Sequence, residues 1–582
     1  MQLVLMDGSW LWLRLWSSSL LLPDCFPPAG KQGGTTPPAG KQRDQPPSRK
    51  TAGHRRHWVI PPWMAQERVL VGCVSAHCKI TGDGAKSFLL LLGALLRGIH
   101  GDHLHGIQAR RVAHILLSFQ TLVLDGVIGQ GLAPRALSLL QDPAHLRPLT
   151  DAYFRGKTAS SHWGVLSQTA CEFYRRWRCE QDCTGVTLIA RHFAALHTPV
   201  PGLPVSRSRV LEGLVIHRDF AVRCPGDGPL RALATSVPLQ SPLAPPGVSL
   251  NLASAAQAQR CCGGVGGRAE RGVACLRRLR VGLLLSAAKQ SELALDLARR
   301  AGLSVVECVD SDELALFCRL AGAELFADPG DWSLIGEEHV ATVTFCKPVV
   351  LGPDRLAHVG FPEGRGLAPH CLVLCGPSPG LAEQCSTAFC GLFRMLQRVY
   401  EPVQSRHGQG PVQSHHMLRN IKASGERPGV HFGEGKEGAL GTRTRETGPA
   451  SSGVLIEAGS VLPAGGAFEF VLHHCLLQQA SQRRCPDLRA ACRLVAGAVL
   501  SVPRRLYPGP RFLDAQSHFL RASGAAPPSW RVRGLESLAC KYQLLLSVLH
   551  TASSLLSVDL ILHSHIRSQA EHSQEEEEEA EE

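Results

Sequence analysis

Between Val281 and Ala321 the chain alternates strand and helix. Val281 to Leu285 and Val305 to Cys308 are short apolar runs, and Ser291 to Ala301 and Ser311 to Ala321 carry the apolar period of a helix. Strands separated by a helix cannot close a hairpin; they pair in parallel through right-handed crossovers. Asp310 and Ser311 supply cap candidates for the second helix. Further strands are expected at Thr342 to Phe345 and Cys371 to Cys375. On both sides the periodicity turns helical: Ile107 to Leu124 (with Val112, Ile115, Leu116, Phe119, Leu122 and Val123), Leu137 to Leu149 and Val165 to Trp177 before, Leu381 to Val399, Leu494 to Val499 and Leu535 to Leu556 after. Strand-like runs at Val186 to Ile189 and Leu211 to Ile216, split by Pro199, Pro201 and Pro204, precede the alternation. The expected fold is therefore multidomain α/β, with a compact α/β module inserted between mostly helical parts.

A chain of 582 residues is too long for one core and implies about three or four domains. Its 44% hydrophobic and 19% charged residues are those of a globular protein. The formal charge is +12, but lysines and arginines are scattered singly and in pairs with few aromatics between them, which argues against nucleic acid as a partner. Seven of the 49 acids lie in the tail Glu575 to Glu579, Glu581 and Glu582, a solvated end. Twenty-one irregularly spaced cysteines, an odd count, do not form a disulfide framework and fit a reduced compartment. No Cys-x-x-Cys pair occurs, and Cys179, Cys183, His192 and His197 lack the spacing of a finger, so no zinc is expected.

Residues 1–63 read as a disordered, atypical extension. Met1 to Leu22 is apolar but interrupted by Asp7 and Arg14, and Pro27-Pro28-Ala29-Gly30-Lys31-Gln32 recurs at Pro37 to Gln42. No later apolar run reaches membrane-spanning length free of charge, so no membrane span is expected. Glu401 to Ser452 has no periodicity and reads as a flexible insert.

The chemistry-bearing stretch is Thr81-Gly82-Asp83-Gly84-Ala85-Lys86-Ser87, followed by the apolar helix Phe88 to Leu96. Two glycines around an aspartate allow a sharp turn, N–H groups at the helix start suit an anion, and Asp83 suits Mg²⁺. An ordinary turn capping a core helix accounts for the same residues. It is not a P-loop, since Ala85 and Ile80 stand where that motif needs glycine. His217-Arg218-Asp219 imitates a kinase catalytic loop, but Cys224 replaces its asparagine. Cys261-Cys262-Gly263-Gly264-Val265-Gly266-Gly267 lacks a preceding strand and reads as a flexible loop. Val461 to Glu469, with Gly465-Gly466, opens another helix from a glycine turn, and Ser557 to Leu562 is strand-like.

Five pieces in fixed order resemble the group II chaperonins. Thr81 to Lys86 is similar to that family's Gly-Asp-Gly phosphate loop; Ser208 to Ile216 and Leu372 to Pro377 resemble the strands leading to and from its apical domain; Pro463 to Glu469 resembles its second glycine motif; Lys541 to Leu562 resembles its closing helix and strand. Cys73 to His77, Gly98 to His100, Phe119 to Gly126 and Lys541 to Leu545 bring the chain nearest to the chaperonin-like group of Bardet–Biedl syndrome proteins. The resemblance spans about Gln66 to Ile566. It implies equatorial parts at 64–140 and 453–566, intermediate parts at 141–204 and 371–402, an inserted apical domain at 205–370, a flexible insert at 403–452 and an acidic tail at 567–582.

The resemblance also implies a nucleotide site of Gly82, Asp83, Gly84, Ala85, Lys86, Gly465 and Gly466, with Asp83 towards Mg²⁺ and only weak ATP binding. The aspartate that positions the attacking water in hydrolysing members falls at Gly391, within Cys390-Gly391-Leu392-Phe393; glycine can neither polarise water nor hold a metal. The family's first phosphate loop has no counterpart upstream of Gln66. The expectation is thus a non-hydrolysing chaperonin homologue whose partners are the sister chaperonin-like proteins and the cytosolic ring chaperonin. Its clients would be subunits of the coat complex that sorts cargo into cilia, in the cytoplasm at the basal body, centrosome and base of the cilium. The alternative is a true ATP-dependent folding chaperone; turnover conferred by Gly391→Asp would show that the site is otherwise intact. A third expectation is poor solubility, because missing equatorial elements would leave the apolar faces of Phe88 to Leu96 and Ile115 to Leu124 uncovered.

Overall fold

The computed structural model describes residues 62–100, 106–177, 184–226, 228–240, 253–328, 332–362, 369–405, 453–521 and 534–556. The extension 1–61, Cys179 and Cys183, the insert 406–452, the strand-like 557–562 and the acidic tail lie outside them. The chain divides into a large compact unit, Ala76–Ser553, and a small one to which 62–75 and 554–556 belong.

Helices α1 (Pro62–Thr81), α2 (Ala85–His100) and α3 (Gly106–Phe119) come first. The last continues through two π-helical turns, Gln120–Leu124 and Ile128–Leu132, as one rod. Each π turn rotates the apolar face, so Leu116, Phe119, Val123, Leu124, Ile128 and Leu132 are all buried. The span Arg111–Arg135, which contains Asp125, is long and apolar enough to cross a membrane by length and composition; more than half of it is buried inside the protein, as in a core helix. Phe88, Leu91, Leu92 and Leu95 are also buried, so the faces expected to lie open are covered, although Leu117 and Leu122 remain exposed.

Strand β1 (Leu137–Ser138) and helix α4 (Leu146–Arg155) replace the single helix expected over Leu137 to Leu149. Pro143 ends one conformation and starts another, while Leu137 and Ser138 pair with Val461 and Ser460. After α5 (Trp163–Trp177), Val186 to Ile189 belongs to α6 (Thr184–Leu196) and not to a strand. The buried set Val186, Ile189, Phe193 and Leu196 has steps of three and four, which is the helical period.

Then follow β2 (His197–Pro201), β3 (Arg209–Glu212), β4 (Leu214–Ile216), β5 (Phe220–Val222), β6 (Leu230–Thr235), α7 (Ala255–Arg278), β7 (Val281–Ser286), α8 (Glu292–Arg300), β8 (Ser304–Val306), α9 (Ser311–Ala321), β9 (Val340–Val343), β10 (Phe345–Leu351), β11 (Asp354–Gly360) and β12 (His370–Gly376). Five strands form one sheet in the order β5-β8-β7-β6-β9, parallel across β6, β7 and β8 as the alternation requires. Leu283 and Leu285 pack into the large core on one face with Leu314 and Phe317 of α9, whereas Leu284 faces Val273, Leu276 and Ala298 of α7 and α8. Burial on both faces explains the unbroken apolar runs. Ser291 caps α8 and Asp310 caps α9 through N–H groups of Ala294 and Asp312. Cys261 to Gly267 lies within α7, not in a loop: Ser254 caps the helix and Ala269, Val273 and Leu276 anchor its second half, which outweighs the glycines.

The chain closes with α10 (Pro379–Tyr400), β13 (Val403–Gln404), β14 (Val454–Ile456), β15 (Ser460–Pro463), α11 (Ala467–Gln482), α12 (Pro486–Val499), α13 (Ser501–Leu506), α14 (Arg511–Arg521), β16 (Leu535–Ser537) and the helix α15 over 538–556. The expected helix from Leu535 starts three residues late because Leu535–Ser537 pairs with Val461–Pro463.

Candidate functional site

Helix α1 ends at Thr81 and α2 begins at Ala85, leaving Gly82-Asp83-Gly84 as the turn. Gly82 and Gly84 have φ of 68° and 99°, a region that side chains disfavour. The Gly82 N–H donates to the Cys78 carbonyl at 2.8 Å and the Thr81 hydroxyl to the Asp83 carbonyl at 2.8 Å. Beneath the turn, His77 has Nε2 3.2 Å from Thr81 Oγ1 and Nδ1 3.3 Å from Ser547 Oγ. Burial lowers its pKa to about 4, against the opposing pull of Asp83, so a neutral ring supports the turn at pH 7.

Helix α10 lays Gly391 directly on this turn. A Cβ at Gly82 would overlap the Gly391 carbonyl oxygen and lie 2.6 Å from its carbon; a Cβ at Gly391 would overlap the Tyr153 hydroxyl and lie 2.8 Å from the Gly82 carbonyl oxygen. Tyr153, on α4, donates to that carbonyl at 3.0 Å. Its burial, with the charge of Asp83, raises its pKa well above the ordinary phenol value and keeps the hydroxyl protonated. Where an aspartate side chain would stand, two backbones touch and a phenol fills the remaining space.

Asp83 accepts from Lys157 Nζ at 2.8 Å. The lysine also lies 4.8 Å over the Tyr153 ring, and its carbonyl accepts from Gln384 Nε2 at 3.2 Å. A magnesium ion on Asp83 would confront this ammonium at the same oxygen, and among the described residues no three His, Cys, Asp or Glu side chains gather as a metal site. With Lys157 on Oδ1, Asp83 offers Mg²⁺ its other oxygen beside a competing positive charge. Lys86 is exposed on the first turn of α2 with Ala85 before it.

The second glycine pair, Gly465 and Gly466, has φ of 100° and 118°, and Gly466 is the N-cap of α11. Tyr507 donates to the Gly465 carbonyl at 2.8 Å. Both glycine turns meet the segment 534–541: Ala464 N–H donates to Gly534 O at 3.0 Å, and the Cys540 thiol lies 3.9 Å from Thr81 O. Beside them Lys541 Nζ bonds Glu469 Oε1 at 2.7 Å and Glu536 Oε2 at 3.0 Å.

Sequence reasoning thus named both glycine turns and Gly391, and the fold gathers Gly82, Gly391 and Asp83 in one place. It missed Tyr153 and Lys157, which carry no motif, and the buried partnership of Glu469, Glu536 and Lys541, of which only the residues were visible. A cavity of about 230 Å³ elsewhere, on β2, β3 and β12, is lined by Val200, Leu203, Arg207, Arg209 and Val350 and contains no acid–base pair.

The architecture is a multidomain mixed helix–sheet chain with an inserted α/β module, and among solved structures it aligns with an open-state monomer of a group II chaperonin from Methanococcoides burtonii. That alignment covers 81% of this chain and 99% of the other, at 15% identity and a TM-score of 0.47. By sequence its homologues are proteins named BBSome complex assembly protein BBS10: those of Pongo abelii, Mus musculus and Homo sapiens are each 28% identical over 88% of this chain and 91% of the relative. No protein-family model matches the chain.

Proposed function

We propose that this chain is a chaperonin-like assembly factor for the BBSome, the ciliary cargo-sorting coat, and that it does not hydrolyse ATP. The name of its homologues supports the assembly role. The observation that supports the second half is the contact of Gly391 with Gly82 under the Tyr153 hydroxyl: position 391 carries no carboxylate, and a side chain there would overlap the phenol. Nucleotide binding is weak, through Gly82 to Lys86 and Gly465-Gly466, because Lys157 competes with metal-bound phosphate for Asp83. The partners are the sister chaperonin-like proteins and cytosolic ring chaperonin subunits, the clients are coat subunits, and the setting is the base of the cilium.

The test is binding and turnover of labelled ATP with Mg²⁺ on the full chain and on Asp83→Ala, with co-purification of coat subunits from cells. Binding without turnover, lost in the variant, together with recovery of coat subunits, is the expected result. Turnover that Asp83→Ala abolishes would instead establish the folding-ATPase alternative.

A further inference from the structure

Lys541 stands between two carboxylates, Glu469 and Glu536, and makes one hydrogen bond to each. Two carboxylates and one ammonium leave a net charge of −1 in a mostly buried cluster. The remaining oxygens, Glu469 Oε2 and Glu536 Oε1, are both buried and have no hydrogen-bond partner. A buried acceptor without a donor is costly, and a buried uncompensated charge more so. One proton neutralises the excess charge and turns one orphaned carboxylate oxygen into a hydroxyl, which can donate.

We propose that Glu469, Glu536 and Lys541 form a proton-binding site that holds one proton on Glu536 and joins the two glycine turns. The members come from three elements: Glu469 from the first turn of α11 after Gly466, Glu536 from β16, and Lys541 from α15 one residue after Cys540, whose thiol reaches Thr81 O. The charged and titratable groups around Glu536 are consistent with this. Burial pushes its pKa up to about 7; Lys541 acts against that, and Glu469 and Asp83 act with it. Tyr507, on the Gly465 carbonyl, feels Glu536 and Glu469 in turn. Arg398 reaches this region through Gln543, and the Cys540 thiol is pushed up to about 12 by burial. Burial pulls Lys541 down, but the two glutamates outweigh it and hold the ammonium charged. The site stands whether or not nucleotide binds.

The sign follows from linkage. The folded state holds a proton that the unfolded chain releases above its ordinary carboxylate pKa, so stability contributed by the site is full below about 4.5 and is lost as pH rises through about 7. Between pH 5.5 and 8 the folding equilibrium constant falls on the order of 30-fold through this group alone. The experiment is urea unfolding of the full chain across that range for the wild type and Glu536→Gln, taken as a difference so that histidine contributions cancel. The difference is expected to slope by about that factor and level off above pH 8; equal slopes in the two proteins overturn the proposal. Should Glu536→Gln not fold, Glu469→Gln tests the same site, because loss of the neighbouring charge must lower the midpoint of the infrared carbonyl band of the protonated acid in pH-difference spectra. A midpoint unmoved, or no such band in the wild type at pH 6, equally refutes it.

Discussion

Placing a methyl group at Gly391 measures how tightly α10 closes on the first glycine turn. The residue is buried in a helix, so alanine meets no backbone strain and alone would gain about 0.5–1 kcal/mol from helix propensity. Its Cβ, however, would overlap the Tyr153 hydroxyl and lie 2.8 Å from the Gly82 carbonyl oxygen. Overpacking of this kind costs about 1–3 kcal/mol, and displacing the phenol breaks its 3.0 Å bond to Gly82 O, worth about 1 kcal/mol more. Gly391→Ala should therefore destabilise by about 1–3 kcal/mol, whereas Gly497→Ala in α12, where a Cβ meets nothing within 4 Å, should stabilise by about 0.5–1 kcal/mol. In a Tyr153→Phe background the hydroxyl is gone and only the Gly82 oxygen obstructs, so the cost at 391 should shrink by about 1 kcal/mol. A double-mutant cycle by urea denaturation reads this directly. Additivity within about 0.5 kcal/mol, or a stabilising Gly391→Ala, would refute the contact as the reason for closure. The same geometry bears on Gly391→Asp: the side chain enters against the Tyr153 hydroxyl and the Gly82 carbonyl, and single-turnover assays should detect no hydrolysis.

Gly82→Ala adds positive-φ strain to an overlap with the Gly391 backbone and should leave little soluble protein, read as monomer yield on size exclusion; yield equal to wild type would show that the turn adopts another conformation. Lys157→Ala should change stability by less than about 1 kcal/mol, since Asp83 is half exposed, yet strengthen Mg²⁺ binding in calorimetric titration; unchanged metal affinity would remove Lys157 as the competitor. His77, whose folded pKa is lowered to about 4, takes up a proton only on unfolding, so stability should fall as pH drops from 6.5 towards 4, and His77→Gln should flatten that limb of the melting-temperature profile. A profile with the same acid limb in both proteins would assign it elsewhere.

The α/β module was readable because its signals are local: Ser291 and Asp310 cap their helices within a turn, and a sheet buried on both faces writes Leu283, Leu284 and Leu285 as one run. Val186 to Ile189 was not, because four apolar residues fit either period and only Phe193 and Leu196 decide between them. Leu535–Ser537 becomes a strand through pairing with residues over 70 positions earlier, which no local propensity encodes. The site divides in the same way. Glycine turns announce themselves, whereas Tyr153 and Lys157 reach the loop across separations of 71 and 74 residues and resemble any helix-end tyrosine and lysine until the chain is folded.

The rod that begins with α3 has a consequence for how the protein is made. Its buried polar anchors, Gln120 and Asp125, are satisfied by Tyr542, and Gln120 waits 422 residues for that partner. At a synthesis rate of about 5–20 residues per second, that interval is on the order of 20–80 s. Until its end, the polar anchors of a segment as apolar as a membrane span lack the partner they have in the folded protein. The rod near the start of the chain is therefore completed only by a helix near its end, and a chain stopped before Tyr542 would leave Gln120 and Asp125 without that hydroxyl.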